Sequence, residues 1–448
     1  MAAASRKDSI TMLRVSRLVL AAALSLSLAA GASAQKPAAP PKPTPADKTL
    51  AAIRSSAGFK AAMADIDKSY DRITAETIEL TEIPAPPFKE KARGEAVLAK
   101  LKATGLSDVE TDPEGNVMGL RRGTGAAGGP VVVFAAHQDT VFPEGTNVKV
   151  RREGTKLYAP GVGDDTHSLA VMLAYVRALD AAKVKTKRDI LFVANVGEEG
   201  PGDLRGTRYL FGKGKYKERI AGFFSMDGTA PERVTYGAVG SKRYRVTFHG
   251  PGGHSYGAFG LVNPMAAMGT TVVELNKVRT PAEPKTTYMT SVVGGGTSVN
   301  SIPDTIWLEV DMRSESAEEL GKIDGQFLRI VKAAVEQENA ARSTRAGKIT
   351  ADVKLIGERP TGATKQDAEI VQLTAAAVKA AGWAPVLGAS STDSNIPISL
   401  GVPAVTIGSG GDGGRAHSVD EWIDVSQPES VKGMAVGLSA LLAMAGAQ

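Results

Sequence analysis

Short runs of consecutive apolar residues recur along this chain. The runs are PVVVFAAH (130–137), RDILFVANV (188–196), AGFFSMD (221–227) and PAVTIG (403–408). Such runs are typical of parallel strands that helices cover on both faces. The first two are separated by a stripe at helical spacing that extends from Leu169 to Leu179. This alternation predicts an α/β fold, with a mostly parallel sheet flanked by helices.

The pattern changes between residues 241 and 357, where polar and apolar residues alternate. The alternating segments are RYRVTF (243–248), TIWLEVDMR (305–313) and the later KITADVKLIG (348–357). They predict half-exposed, antiparallel strands. Helix-start signals lie at Asn263-Pro264 and at Ser316. The resulting order, strand, helix, strand, strand, helix, strand, predicts an inserted α+β domain of the ferredoxin-like type.

The apolar pattern returns after this insertion, with predicted helices near 366–381 and 427–446. Both flanking parts therefore belong to one domain. The predicted organisation is a catalytic domain at 47–240 and 358–448, interrupted by the inserted domain at 241–357.

The first 34 residues have the features of a cleaved export signal. Basic residues precede the apolar LVLAAALSLSLAAGA, which ends at Ala32-Ser33-Ala34. An uncleaved anchor is the alternative, although the apolar core is short for a membrane span. A proline- and alanine-rich linker follows at 35–46. We expect a periplasmic or secreted protein without stable membrane insertion after cleavage.

Charge and cysteine content narrow the function. The formal net charge is +5 for the whole chain and falls to +2 once residues 1–34 are removed. A chain this close to neutral has no electrostatic footprint for nucleic acid. The absence of cysteine excludes disulfides and a thiol nucleophile.

Acids and histidines follow the predicted parallel strands, at the sheet edge where open α/β folds bind ligands. They are His137, Asp164, Glu198, Glu199, Asp227 and His417. Nitrogen and oxygen donors without sulfur suit one or two zinc or similar divalent ions. Taken alone, Asp164 could cap the following helix, as could Asp165 or Thr166. The joint order of His137, Asp164, Glu199, Asp227 and His417 favours a metal site.

The chain resembles the metallopeptidases that include peptidase T, the glutamate carboxypeptidases, acetylornithine deacetylase and the aminoacylases. The similarity extends from about Ile73 to Ile423. It includes the motifs AAHQDTV, GVGDDT, GEEGPGDLRGTRYL, SMDG, GPGGHSYG, GGGTSVNSIPD, DMRSES and AHSVDEW.

The resemblance implies a site for two metal ions. His137 and Asp227 would hold one ion, Glu199 and His417 the other, and Asp164 would bridge them. Zinc is the expected metal, and cobalt and manganese tolerate the same ligands.

The resemblance also implies roles around the metals. Asp139 would orient His137, and Glu198 would be the proton shuttle in amide hydrolysis. Many family members have lysine where this chain has Thr166, a departure that affects substrate detail rather than metal binding.

The inserted domain would act as a lid and form a homodimer through residues 241–357. His254 would reach the active site of the partner subunit and polarise the substrate carbonyl. Asn300 and Arg313 match substrate-binding positions, and Arg313 suits a substrate carboxylate. A surface salt bridge with Asp311 or Glu315 is the alternative for Arg313.

We therefore predict an exported metallopeptidase that cleaves short peptides, an aminopeptidase or dipeptidase resembling peptidase T. An N-acyl amino acid deacylase or a carboxypeptidase is the close alternative. A noncatalytic peptide or metal binder is the remote one.

Overall fold

The computed structural model describes residues 42–447. The predicted export signal and most of the predicted linker lie outside the described residues. The first helix begins at Pro45, where the Thr44 side chain accepts a hydrogen bond from the Asp47 N–H at 3.1 Å. None of the helices between residues 42 and 447 is both long enough and apolar enough to cross a membrane.

The described residues form helices and strands with the following bounds. The helices are α1 (Pro45–Ser55), α2 (Ala57–Lys68), α3 (Tyr70–Thr81), α4 (Lys91–Lys102), α5 (His167–Ala181), α6 (Arg205–Gly212), α7 (Pro264–Leu275), α8 (Ala317–Ala341), α9 (Glu369–Ala380), α10 (Asn395–Ser399) and α11 (Gln427–Ala445). The strands are β1 (Ser107–Thr111), β2 (Val117–Arg121), β3 (Val131–His137), β4 (Arg151–Glu153), β5 (Lys156–Tyr158), β6 (Asp189–Asn195), β7 (Ile220–Met226), β8 (Arg233–Ala238), β9 (Gly240–His249), β10 (Gly253–His254), β11 (Thr286–Gly295), β12 (Ser301–Ile302), β13 (Thr305–Ser314), β14 (Thr350–Arg359), β15 (Gly362–Ala363), β16 (Val386–Ser390), β17 (Ala404–Ile407), β18 (Asp412–Gly414) and β19 (Trp422–Asp424).

The largest sheet has the order β1-β2-β6-β3-β7-β17-β8-β15, and β16 pairs with β8. Its four central strands, β6, β3, β7 and β17, are parallel. These are the four apolar runs that the sequence predicts as strands, and every residue of β3 and β6 is buried. The predicted α/β class is confirmed.

Alternate side chains of the central strands enter two separate cores, one on each face of the sheet. Phe134 of β3 packs against Tyr175 of α5 with ring centroids 5.5 Å apart. Its neighbour Val133 points to the other face and joins the core that contains Leu210 of α6. Burial on both faces explains why these strands are apolar throughout rather than alternating.

The predicted α+β insertion forms a second sheet of order β11-β13-β9-β14, with every pair antiparallel. Alternate residues of β13 are buried, from Ile306 to Met312, and pack under α7 and α8. The opposite face of this sheet carries charged residues. The chain enters the sheet along β9 and leaves it along β14, whose last residue, Arg359, pairs with Ser241.

Candidate metal centre

The predicted metal ligands gather at the carboxyl ends of the parallel strands. His137 is the last residue of β3, Glu199 follows β6, and Asp227 follows β7 directly. Asp164 lies in the loop before α5, and His417 lies in the loop between β18 and β19. The structure thus brings residues from five separate segments to one edge of the sheet.

Asp164 lies at the centre of this cluster. Its Oδ1 is 3.0 Å from His137 Nε2, and its Oδ2 is 3.2 Å from His417 Nε2. His417 Nε2 is also 3.0 Å from Glu199 Oε1. His137, Asp164 and Asp227 place one donor atom each within 4.8 Å of one another, and so do Asp164, Glu199 and His417. Two groups of three donors therefore share Asp164.

The electrostatics of the cluster favour a bound cation. Burial raises the pKa of Glu199 to about 7, with the charge of Asp164 adding to the effect and the hydrogen bond from His417 opposing it. Burial and the charge of Asp164 raise the pKa of Asp227 well above its usual value. Divalent cations relieve such crowding of carboxylates, and the donors contain no sulfur. The donor set fits zinc or a similar ion.

Glu198 and Glu199 are adjacent in sequence but have different partners. Glu199 faces His417, whereas Glu198 Oε1 accepts a hydrogen bond from Arg359 Nη1 at 2.9 Å. Arg359 is not among the site residues that the sequence indicated. Its only signal was a charged residue two positions after the last predicted strand of the insertion, just before Pro360. A third donor group, His137, Glu198 and Glu199, also lies within 4.8 Å.

Asp139 contacts both His137 and the glutamate pair. His137 Nδ1 lies 3.0 Å from the backbone oxygen of Asp139 and 3.6 Å from its Oδ1. The Asp139 carboxylate accepts the N–H of Glu198 at 3.0 Å and that of Glu199 at 2.8 Å. Asp139 therefore holds the backbone of the glutamate pair as well as approaching His137.

Glu421 fixes the loop that carries Asp164. Its carboxylate accepts the N–H groups of Gly161 at 3.0 Å, Gly163 at 2.7 Å and Asp164 at 2.8 Å. Burial raises the pKa of Glu421 to about 7. Glu421 lies in the AHSVDEW motif, but its sequence position gave no indication of this role.

The possible helix-capping role of the acids before α5 is not seen. Thr166 occupies the N-cap of α5 without a side-chain cap, and its Oγ1 donates to the backbone oxygen of Gly161 at 2.7 Å. The Asp164 carboxylate faces the two histidines, and Asp165 Oδ2 accepts the N–H of His137 at 2.9 Å.

A cavity of about 820 Å³ lies between the metal cluster and the open face of the inserted sheet. Asp164, Glu198 and His417 line one side of this cavity, and Arg243 and Arg313 line the other. Arg313 Nε also donates to Asp311 Oδ2 at 2.7 Å. The ion pair considered for Arg313 is therefore present, and it lies within the cavity wall.

His254 and Asn300 lie together outside the lining of this cavity. His254 is exposed, and its Nδ1 accepts the N–H of Tyr256 at 3.2 Å. The backbone oxygen of Asn300 accepts the N–H of Ser255 at 2.8 Å. Within one chain the structure does not bring these two residues to the metal cluster. The catalytic role of His254 and the substrate-binding role of Asn300 stay predictions.

The profile of the peptidase family M20/M25/M40 matches residues 133–443. The chain belongs to this family. Its members are dinuclear metal peptidases and related amidohydrolases. This M20-family chain is thus a hydrolase, as the sequence resemblance implied.

This M20-family chain is similar to two curated relatives and to one solved structure. Carboxypeptidase G2 of Pseudomonas sp. (strain RS-16) is 25% identical over 230 residues, which cover 50% of this chain and only 54% of that enzyme. The succinyl-diaminopimelate desuccinylase of Hydrogenovibrio crunogenus is 25% identical over 352 residues, 74% of this chain and 88% of that enzyme. The aminopeptidase PepT structure from Bacillus cereus has a TM-score of 0.64 at 19% identity, covering 83% of this chain and 99% of that one. This last similarity supports the fold.

Proposed function

We propose that this chain is an exported, two-metal peptidase that hydrolyses amide bonds of short peptides, an aminopeptidase or dipeptidase resembling peptidase T. The observation that carries the proposal is the division between Glu198 and Glu199. Both glutamates line the cavity, but the Glu199 carboxylate faces His417, whereas the Glu198 carboxylate accepts a hydrogen bond from Arg359.

The proposed ligand sets follow the two donor groups. His137 and Asp227 would hold one ion, Glu199 and His417 would hold the other, and Asp164 would be shared between them. Zinc is the expected metal, with cobalt and manganese as alternatives. Two such ions, when bound, supply Lewis-acid polarisation of a carbonyl and acidify water.

Glu198 takes the proton of the attacking water and returns it to the leaving amine. General acid–base catalysis of this kind contributes about 10²- to 10⁴-fold to a rate. A base that was also a strong metal ligand would have its proton affinity suppressed by the cation, so the division of labour within the pair is favourable. Arg313 and Asn300 bind the substrate, Arg313 through a carboxylate.

A second candidate is an N-acyl amino acid deacylase or a carboxypeptidase. Two observations favour it. The relatives named above are a carboxypeptidase and a desuccinylase, and the cavity wall carries Arg243, Arg245, Arg313 and Lys354, which could receive a carboxylate. A noncatalytic peptide or metal binder is the remote alternative.

A substrate panel with a matched pair of variants tests the proposal. The metal-loaded protein is incubated with dipeptides, tripeptides and N-acylated amino acids, and the products are identified by mass spectrometry. Release of N-terminal residues from free-amino peptides alone supports the aminopeptidase, whereas cleavage confined to acylated substrates favours the deacylase. No cleavage by metal-loaded protein favours the binder.

Glu198→Gln should retain metal and lose about 10²- to 10⁴-fold in kcat. Glu90→Gln is the matched control, because Glu90 is also a buried glutamate paired with an arginine, Arg205 Nη2 at 2.8 Å. Full activity of Glu198→Gln would show that the base is assigned wrongly.

Export and dimerisation form part of the same proposal. We expect the mature chain to begin at Gln35 in the periplasm or medium, which N-terminal sequencing of fractionated cells would test. We expect a homodimer through residues 241–357, which light scattering would test by mass.

A further inference from the structure

Arg359 is attached to Glu198 at two points. Nη1 donates to Glu198 Oε1 at 2.9 Å, and Nη2 donates to the backbone oxygen of the same residue. Both side chains are almost fully buried, 4% and 6% exposed. One guanidinium therefore fixes the side chain and the main chain of Glu198 together.

A second arginine bonds to the backbone just after the glutamate pair. Arg243 Nη1 donates to the backbone oxygen of Gly200 at 3.1 Å, while its Nε donates to Asp311 Oδ1 at 2.9 Å. Arg243 lies on β9 and Arg359 ends β14, the two strands through which the chain enters and leaves the inserted sheet. The first and last strands of the insertion thus bond to both ends of the segment 198–200, Arg359 to Glu198 and Arg243 to Gly200.

We propose that Arg359 is a positioning residue for Glu198. Arg359 fixes Oε1 of Glu198. Oε2 of Glu198 accepts no hydrogen bond from the described residues and is left to face the reacting water. This inference rests on the proposed function, in which Glu198 moves the proton. Because Arg359 and Arg243 belong to the inserted sheet, the position of Glu198 depends on the position of that sheet relative to the metal cluster.

Arginine suits this task for a physical reason. Its planar guanidinium presents several donors in a fixed geometry, so two bonds define an orientation. Lysine offers a point charge without that geometry. A shift of about 1 Å in a catalytic group can cost about 10²-fold in rate.

A different role for Arg359 would be direct binding of a substrate carboxylate. Its Nε has no hydrogen-bond partner among the described residues, and Arg359 lines the cavity. The two roles separate kinetically, because loss of a group that only binds substrate raises KM, whereas loss of a group that aligns the base lowers kcat.

The test compares Arg359→Met and Arg359→Lys in the metal-loaded full chain, using the best substrate of the panel. Arg121→Met is the matched control. Arg121 also bonds one carboxylate, that of Asp180, and backbone oxygens, but it does so beside the amino end of β6, the end opposite Glu198. Metal content and melting temperature are measured alongside kcat and KM.

We expect Arg359→Met to lower kcat by about 10- to 100-fold, with KM changed by less than about threefold and metal content unchanged. Arg359→Lys should recover part of kcat. In a Glu198→Gln background, Arg359→Met should cost less than about twofold more, because a residue that acts through Glu198 has little left to affect. Arg121→Met should lower the melting temperature and leave kcat and KM unchanged.

Three results would overturn the inference: a rise in KM with kcat unchanged, full activity of Arg359→Met, or full multiplicative losses in the double variant. If Arg359→Met does not fold, Arg359→Lys is carried through the same comparisons and decides the matter. An active Glu198→Gln enzyme would instead contradict the proposed function, so the two failures are distinguishable.

Discussion

The Asp139 carboxylate accepts the backbone N–H of Glu199 at 2.8 Å, and its second oxygen accepts that of Glu198. The end of β3 is thereby tied to the loop that follows β6. Since His137 Nδ1 also lies 3.0 Å from the Asp139 backbone oxygen, Asp139 contacts both His137 and the glutamate pair.

Asp139→Asn tests this link. An amide has one acceptor oxygen where the carboxylate has two, so an NH₂ group would face one of the two N–H donors. We expect a loss of about 10- to 100-fold in metal affinity or activity, measured by metal titration and by kcat. Asp180→Asn is the control, because Asp180 also accepts a backbone N–H, that of Gly105 at 3.0 Å. Unchanged metal affinity and activity would contradict the assigned role.

Metal removal should destabilise the fold. Without cations, the carboxylates of Asp164, Glu199 and Asp227 repel one another, and this repulsion adds to burial, the main cause of the raised pKa values of the last two. We expect a chelator to lower the melting temperature and zinc at 100 times its Kd to restore about 2.7 kcal/mol. Asp227→Asn should reduce the change in melting temperature that chelator and zinc produce. A melting temperature that stays constant while mass spectrometry shows the metal leaving would exclude this coupling.

Buried His167 should make the protein sensitive to acid. Burial lowers its pKa from 6.5 to about 4, and its Nδ1 contacts Thr77 Oγ1 at 3.1 Å. Between these pH values the unfolded chain takes up a proton that the folded chain excludes, so stability falls as the pH drops from about 6.5 to about 4. The full loss is about 3 kcal/mol.

Urea unfolding at pH 7.5, 6 and 5 would measure this effect. His167→Asn should show a shallower loss of stability with acid than the unmodified chain. His249→Asn is the control, because His249 is exposed. Parallel pH profiles for the unmodified chain and His167→Asn would exclude the assignment.

His254 should act across the proposed dimer. The residue is exposed and lies outside the lining of the cavity in its own chain. His254→Ala should depress turnover while metal content and mass are retained. Mixed dimers of His254→Ala and Glu198→Gln chains should recover activity, because one of their two sites has both groups intact. No recovery in confirmed mixed dimers would place His254 within a single chain.

Sequence alone predicted the central strands because burial on both faces demands unbroken apolar runs, as in β3 and β6. It also predicted β13, since one face of that strand is covered and Ile306 to Met312 alternate accordingly. The metal ligands could be proposed because His137, Glu199 and Asp227 follow predicted parallel strands, while Asp164 and His417 lie in or after glycine-rich loops. Arg359 and Glu421 could not, since their partners are distant in sequence.

The sequence by itself therefore determined the periodicities of the elements, the donors near the strand ends, and the adjacent Glu198 and Glu199. The family resemblance already grouped Glu199 with His417, but only the tertiary structure revealed that Glu198 is bonded to Arg359. These two contacts span 218 and 161 residues of sequence respectively. Such contacts form only when the sheets pack, because a side chain's partner is fixed by position in space and not by its neighbours along the chain.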